Sequence, residues 1–517
     1  MSYEVKTDAY FGKLYPTFVK HCLPGDRFQI NVEVVIRFMP MFAPILHEIN
    51  VFFHFFEVPY RILWDGWESF ISGGEDGMDN SVQPLWDIGD RPLGNDIELI
   101  NYMGLGNWVA QRNGVADVNL LCYPQRAYNR IWNEYYRDTQ IQDEVSESNN
   151  FLLYRSWMKD YFTSARLNEL LGIPPAIPIH GDLNYVGEDL EVLFPLIVNS
   201  PSFKPRVVVG DSASTNNSSI ASPDMNIQGQ TGGFLGVNDM RSLNVDTPSL
   251  REYLVNNIKV GGTAINMNQL REIMAIHRWK ERNSRAGGRY KEFLMSRFEY
   301  YPRDDRLQRP MYIGGCRSPV IVSEVLQTAQ GKELSSSSDT PIGSMYGHAI
   351  TVDRNFVCKH RCYDYGLIMG LMSIMPKPGY MDTLEREWTY ETRYDYFMPE
   401  FQTLGEQPIF LKELVSDAFN PDEIFGWQGR YNELRYSPNK VVGLFRNDFA
   451  HWHMSRTFSS DENYTPKLND SFLRCDPDWE RNFQVMTEPP MLVNVGNVVT
   501  AVRPMVAVPN PGLIDHF

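Results

Sequence analysis

"HEINVFFHFFEVPYRILWDGWESFISGG", residues 47–74, decides the fold. Read with a period of two, Ile49, Val51, Phe53 and Phe55 share one face of a strand, and Phe52, His54, Phe56 and Val58 share the other. A half-buried strand needs one apolar face; this one has two. Burying a phenylalanine side chain contributes about 1.5–3 kcal/mol. Leaving Phe52 and Phe56 in water would forgo that and create an adhesive patch. Both faces are therefore expected to be covered, the second by another sheet, a long loop or a neighbouring subunit. After Pro59 the apolar spacing becomes helical. Leu63, Trp64, Trp67, Phe70 and Ile71 form one stripe, which Gly73 and Gly74 end.

Upstream, "FQINVEVVIRF" (28–38) reads as a long half-buried strand. Phe28, Ile30, Val32, Val34, Ile36 and Phe38 lie on one face, with Val35 the exception on the other. Pro40 and Pro44 turn the chain between the two strands, because neither can donate to a ladder. Downstream, "YNRIWNEYYRD" (128–138) predicts a helix, and "NKVVGLFR" (439–446), "NFQVM" (482–486) and "MLVNVGNVVTAV" (491–502) predict strand-like segments. Residues 210–239 and 331–339 are rich in Ser, Asn and Gly or in Ser alone, cannot build a core, and predict exposed excursions. No internal repeat is visible. Strands at both ends with loop-rich and helical material between predict a β-sandwich whose first and last strands meet and whose connections carry large insertions.

Composition narrows the function. Of 517 residues, 43% are hydrophobic, 22% charged and 13% aromatic, which is globular and suited to strands and large interfaces. The formal net charge of −16 repels a polyanion at long range, so any nucleic-acid contact must be local. One tract meets that condition: Arg271–Arg309 carries eleven Lys/Arg against six Asp/Glu, a local net of +5. It has two readings. One is a solvated helical face with intrahelical pairs such as Glu281 with Arg285. The other is a phosphate-contacting surface using Arg278, Lys280, Arg282, Arg285 and Arg289, with Trp279, Tyr290, Phe298, Tyr300 and Tyr301 available to stack on unpaired bases.

No catalytic constellation stands out. Six isolated cysteines (Cys22, Cys122, Cys316, Cys358, Cys362 and Cys475) form no disulfide framework and suit a reducing compartment. Cys358, His360 and Cys362 lack the second pair that a structural zinc site usually needs, and His451 with His453 lacks a nearby third ligand. No metal or cofactor is assigned. "GDSAS" (210–214) lies in a low-complexity loop instead of a strand-to-helix elbow, and "GLG" (104–106) lacks a third glycine. Asp65 and Glu68 beside tryptophans keep one alternative open, a β-sandwich that binds or acts on carbohydrate, although acids at i and i+3 are common on a solvated helix. No secretion signal is read at the N-terminus, and no apolar run approaches the about 18–20 residues of a membrane span.

"FFHFFEVPYRILWDGWESFI" (52–71) resembles the hallmark of the major capsid proteins of microviruses, small single-stranded DNA bacteriophages, and of their gokushovirus-like branch in particular. Further similar blocks follow in order along nearly the whole chain: "CLPGDRFQI" (22–30), "YNRIWNEYYRD" (128–138), "RYKEFLMSRF" (289–298), "RLQRPMYIGG" (306–315), "YDYFMPEFQTLGEQPI" (394–409), "RYNELRYSPNKVVGLFR" (430–446) and "PGLIDHF" (511–517). The resemblance implies a mainly β fold, an eight-stranded antiparallel jelly-roll sandwich with long loop and helical insertions, forming one domain over residues 1–517. Residues 205–245 are then expected to be a surface-exposed insertion loop and 265–310 a helical, basic insertion. It also implies a non-enzymatic protein whose copies form a T=1 icosahedral shell around a circular single-stranded DNA genome, assembled in the host bacterial cytoplasm. The partners implied are minor virion proteins (a pilot protein and a small DNA-associated protein), an internal scaffolding protein and a host surface receptor, with no membrane. In that setting Phe52, Phe53, Phe55, Phe56, Trp64 and Trp67 are expected to serve core or subunit packing.

Overall fold

The computed structural model describes residues 1–72, 78–86, 98–105, 120–170, 307–326, 345–416, 420–458 and 465–505, with shorter pieces between 172 and 304 and single positions elsewhere. The chain divides into two compact units, 1–171 with 280–517, and 172–279. In the first unit, β1 (Tyr3–Ala9), β2 (Tyr15–Cys22), β3 (Arg27–Phe38) and β4 (Ile49–Pro59) precede the short helices α1 (Tyr60–Leu63) and α2 (Trp67–Ser72) and the helix α3 (Tyr123–Ile131). The helix α4 (Met267–Ala286) begins in the second unit's stretch of sequence. There follow β5 (Met311–Pro319), β6 (Val322–Leu326), β7 (Met345–Arg361), β8 (Gly366–Pro376), β9 (Glu406–Phe410), β10 (Ile424–Gly429) and β11 (Met491–Val502).

These strands build two antiparallel sheets, in the orders β1-β11-β3-β7-β6 and β5-β4-β8-β2. Without the edge strand β6, this is the eight-strand order of a jelly roll: β1 to β4 alternate between the two sheets, β5 pairs beside β4, and β5, β7, β8 and β11 alternate again. β6 adds a ninth strand by folding back as a hairpin on β7. The first and last strands do meet: Tyr3 pairs with Asn497 and Ala9 with Met491. β3 alternates as its sequence requires, with Phe28, Ile30, Val32, Val34, Ile36 and Phe38 all buried.

β4 lies in the middle of its sheet, between β5 and β8. On its inward face Val51, Phe53 and Phe55 are inaccessible. They sit opposite Ile374, Met372 and Gly370 of β8. Glycine is required at 370, because a Cβ there would stand 2.6 Å from the Phe55 ring. The outward face is covered too, and by the same subunit. After α3 the chain widens into a π-helical turn at Trp132–Tyr136, closed by the Arg137 amide donating to the Trp132 carbonyl. That turn lays Tyr135 4.8 Å and Tyr136 6.3 Å from Phe56, ring centre to ring centre. Tyr136 also stacks on His54 and hydrogen-bonds its Nδ1 at 2.7 Å. The guanidinium of Arg155 lies 4.5 Å over Phe52. β8 is buried along its full length, as a strand covered on both faces must be.

The stripe of residues 63–71 forms two short helices instead of one. The chain turns at Asp65–Gly66, where a Cβ on Gly66 would come 2.6 Å from the Trp64 indole. Trp67 is buried on Tyr60 and Tyr123, at 4.7 and 5.8 Å, while Ile71 faces out. Two expected strands are absent. Residues 439–446 hold a 3₁₀ turn at Gly443–Arg446, with Val442 and Leu444 exposed, so their alternation has no buried face to pair on. Within 482–486 only Phe483 bridges, to Met41. Residues 331–339, and all of 205–245 except short strand pieces at 206–208, 219–220 and 243–244, lie outside the described residues.

Because both faces of β4 are covered within one chain, Phe53→Ala and Phe56→Ala should each cost about 3–5 kcal/mol in urea unfolding of the unassembled protein. A loss below about 1 kcal/mol for Phe56→Ala would mean that its cover comes from elsewhere.

Burial, with the Arg155 charge second, lowers the His54 pKa to about 4. The unfolded chain, with histidine near its ordinary 6.5, binds more protons than the folded one between those values. Stability carried by neutral His54 is thus complete above pH about 6.5 and lost as pH falls towards about 4. The urea midpoint should fall across that interval, and less steeply in His54→Gln; equal slopes would refute the assignment.

Candidate assembly surface

A second core sits beside the sandwich in the first unit. The β9–β10 hairpin and a short helix at Leu411–Leu414 pack Ile409, Leu411, Leu414 and Phe425 against Tyr161, Phe162 and Phe472. Three acidic side chains are buried within or beside it: Glu406, Glu413 and Glu433. A carboxylate in such a place must be paired and hydrogen-bonded. Glu406 receives Arg166 Nη2 at 2.6 Å on one oxygen and Arg285 Nε at 2.7 Å on the other. Glu413 accepts the Phe410 amide at 3.1 Å and the Tyr161 hydroxyl at 2.8 Å, with Arg386 at 3.4 Å. Burial pushes the Glu413 carboxyl up, and the Arg386 charge opposes that shift. Glu433 accepts from Gln407 Nε2 at 2.5 Å and from the Tyr390 hydroxyl at 3.3 Å.

This buried polar frame fixes the outward segments. Tyr431 has φ of 59°, a left-handed conformation costly for a residue with a side chain. It is held by its own burial and by its amide donating to Gln407 Oε1 at 3.2 Å. Phe397 leans on Tyr431 at 5.1 Å, and Tyr396 on Tyr390 at 5.1 Å. Exposed in this part of the chain are Trp388 (77%), Leu404 (61%), Val442 (69%) and, to about half, Tyr396 and Phe397. Large apolar side chains held rigidly in solvent are what a protein–protein interface supplies at its centre.

The 640 Å³ cleft bordering this frame has mixed charge, with Asp138, Lys159, Asp160, Arg166, Arg285 and Arg435 among its walls. Its acids already have structural partners. Asp160 accepts the Tyr380 hydroxyl at 2.7 Å and the Thr163 amide at 2.8 Å, and Asp138 pairs with Lys159 at 3.1 Å.

The residues singled out from sequence are dispersed. Phe53, Phe55, Phe56 and Trp67 are buried within the subunit, and Phe52 and Trp64 are half-buried against its core. On α4, Arg278 and Arg282 are exposed and Lys280 is half-buried. Arg285 is half exposed and engaged with Glu406, the partner found in place of Glu281. Arg289 lies outside the described residues. His453 is a buried structural histidine: its Nε2 pairs with the Phe445 carbonyl at 2.8 Å and its Nδ1 accepts the Ser455 amide at 3.1 Å. Asp65 and Glu68 are solvated, and the neighbouring Trp67 ring is buried where no sugar could stack on it.

A jelly roll with large apolar side chains exposed on one face is compatible with the class of structural subunits that associate with their own copies. The comparisons identify which one. The chain belongs to the capsid protein (F protein) family, whose model matches residues 1–513. It is 29% identical to capsid protein VP1 of Chlamydia phage 1 over 99% of this chain and 94% of that protein. It is also 29% identical to capsid protein VP1 of Bdellovibrio phage phiMH2K, over 100% and 95% of the two chains. The capsid protein VP1 of Spiroplasma virus 4 is 23% identical over 90% and 85%. It is thus a structural major capsid protein of the microvirus type. Nothing in fold or comparisons favours the carbohydrate alternative.

Glu406→Gln leaves the largely buried Arg166 without its charge partner and should cost about 3–5 kcal/mol in urea unfolding, with the β-sandwich intact by circular dichroism. A change within experimental error would show that the pair does not hold the frame.

Proposed function

We propose that copies of this chain close into a T=1 icosahedral shell around a circular single-stranded DNA genome. The face carried by Trp388, Tyr396, Phe397, Leu404 and Val442 forms contacts between copies. The observation that carries this reading is that these side chains are exposed, and that Tyr396 and Phe397 rest on Tyr390 and Tyr431, Tyr390 being hydrogen-bonded to buried Glu433. Closed shells need such surfaces at set angles, because a heterologous contact that rotates freely gives open polymers. The role is structural and not enzymatic. The mature protein resides in the virion after assembly in the host bacterial cytoplasm. A pilot protein, a small DNA-associated protein, an internal scaffolding protein and a host surface receptor are its further partners, and residues 205–245 form its outward insertion. Among the described residues no helix is long and apolar enough to cross a membrane.

Negative-stain microscopy and sedimentation of material from infected cells should show closed shells. Trp388→Asp with Leu404→Asp should leave a folded subunit that sediments as a small species. Shells from that variant at wild-type yield would remove the face from the contact.

The basic tract is the proposed genome contact, with Arg278, Lys280 and Arg282 outward on α4. Arg285 and Arg289 are further members, the former shared with Glu406. Reversing Arg278 and Arg282 to glutamate should yield shells with reduced DNA, read from the ultraviolet absorbance ratio of purified particles. Undiminished DNA content would exclude these two arginines.

A further inference from the structure

Outside the assembly surface, the groups that packing explains least sit at one end of the sandwich. β2 ends on Cys22, β4 carries Glu57 near its end, and the chain leaving β7 presents Cys362. The two sulfurs and a carboxylate oxygen of Glu57 all lie within 4.8 Å of one another. The three residues are 1%, 4% and 0% exposed. Glu57 stands on the inward face of β4, in line with Val51, Phe53 and Phe55, where a hydrophobic residue would have packed. His360 Nε2 lies 2.6 Å from Glu57 Oε2. Backbone bonds fix the assembly: the Cys362 amide donates to the Asp26 carbonyl and the Gly25 amide to the Cys362 carbonyl, both at 2.9 Å.

We propose that Cys22, Glu57 and Cys362 form a buried site for a thiophilic divalent cation of the zinc type, with His360 holding the Glu57 carboxylate in place. Zinc–sulfur bonds of about 2.3 Å and zinc–oxygen bonds of about 2.0–2.2 Å put tetrahedral ligand atoms about 3.6–3.8 Å apart. The ligand atoms of the cluster, within 4.8 Å of one another, stand somewhat wider than that spacing. The donors supply three of the four ligands of a tetrahedral ion, two potential thiolates and one carboxylate that an imidazole orients, and a water would complete the shell. A cation entering displaces the two thiol protons to solvent and leaves two thiolates and a carboxylate around a double positive charge. The sequence spacing of Cys358, His360 and Cys362 pointed elsewhere; the fold pairs Cys362 with Cys22 and Glu57, and Cys358 lies outside the cluster. The cation would tie β2, β4 and the end of β7 together within one subunit.

The test uses full-length protein purified with reductant and then freed of metal by a chelator. Titration with cobalt(II), the spectroscopic stand-in for zinc, should give one equivalent bound per chain with a thiolate-to-cobalt charge-transfer band. Zinc should displace it and raise the melting temperature. Cys22→Ser and Cys362→Ser should abolish the band, Cys358→Ser should keep it, and His360→Ala should weaken zinc binding about 10–100-fold. No band in the wild-type protein, or a Cys22–Cys362 disulfide in protein isolated without reductant, overturns the proposal. If the serine variants fail to fold, the wild-type cobalt titration decides alone.

Discussion

Everything in this subunit depends on covering a strand that is apolar on both faces. β4 could not sit at the surface of any sheet, because Phe52 and Phe56 would face water whenever Phe53 and Phe55 faced the core. The fold solves this inside one chain. The opposite sheet takes the inner face, and the Trp132–Tyr136 turn with Arg155 takes the outer one. The long connection between β4 and β5 is therefore partly structural, since its first portion supplies a third layer over the sandwich. Subunit packing is not needed to protect β4, and the surface hydrophobics of residues 384–449 are the ones proposed for contacts between copies.

That surface shows a division of labour between polar and apolar groups. Buried carboxylates are poor sources of net stability, since desolvation offsets much of the attraction to an arginine. They are directional, however. Glu406, Glu413 and Glu433 accept hydrogen bonds from residues far apart in sequence, and so fix the turns that carry Trp388, Tyr396 and Phe397. A purely apolar second core would leave those turns free to slide.

Three strands of the sandwich, β3, β4 and β11, were legible from the period-two placing of their own residues; β8, buried at every position, offers no such alternation. The break between α1 and α2 was not legible, since it depends on a tryptophan folding over Gly66, a contact no stripe of hydrophobicity reveals. Residues 439–446 failed for the opposite reason: apolar residues meant for a surface look like those meant for a strand. The assembly frame was invisible, because Arg166 and Glu406 are 240 residues apart. A hint existed in "EQPIFLKEL" (406–414), where acids interrupt an apolar run. Glu57 gave the same kind of hint, a carboxylate on the inward register of a strand otherwise rich in phenylalanine.

The subunit is complete on both sides of β4 before it assembles, and the proposed contacts between copies bury the 384–449 face instead. Hydrogen–deuterium exchange on free subunits and on purified shells tests this most directly. Amides 49–59 should be equally and strongly protected in both states, with new protection on assembly confined to segments such as 384–404 and 434–449. Fast exchange of 49–59 in the free subunit, slowed only in the shell, would contradict it.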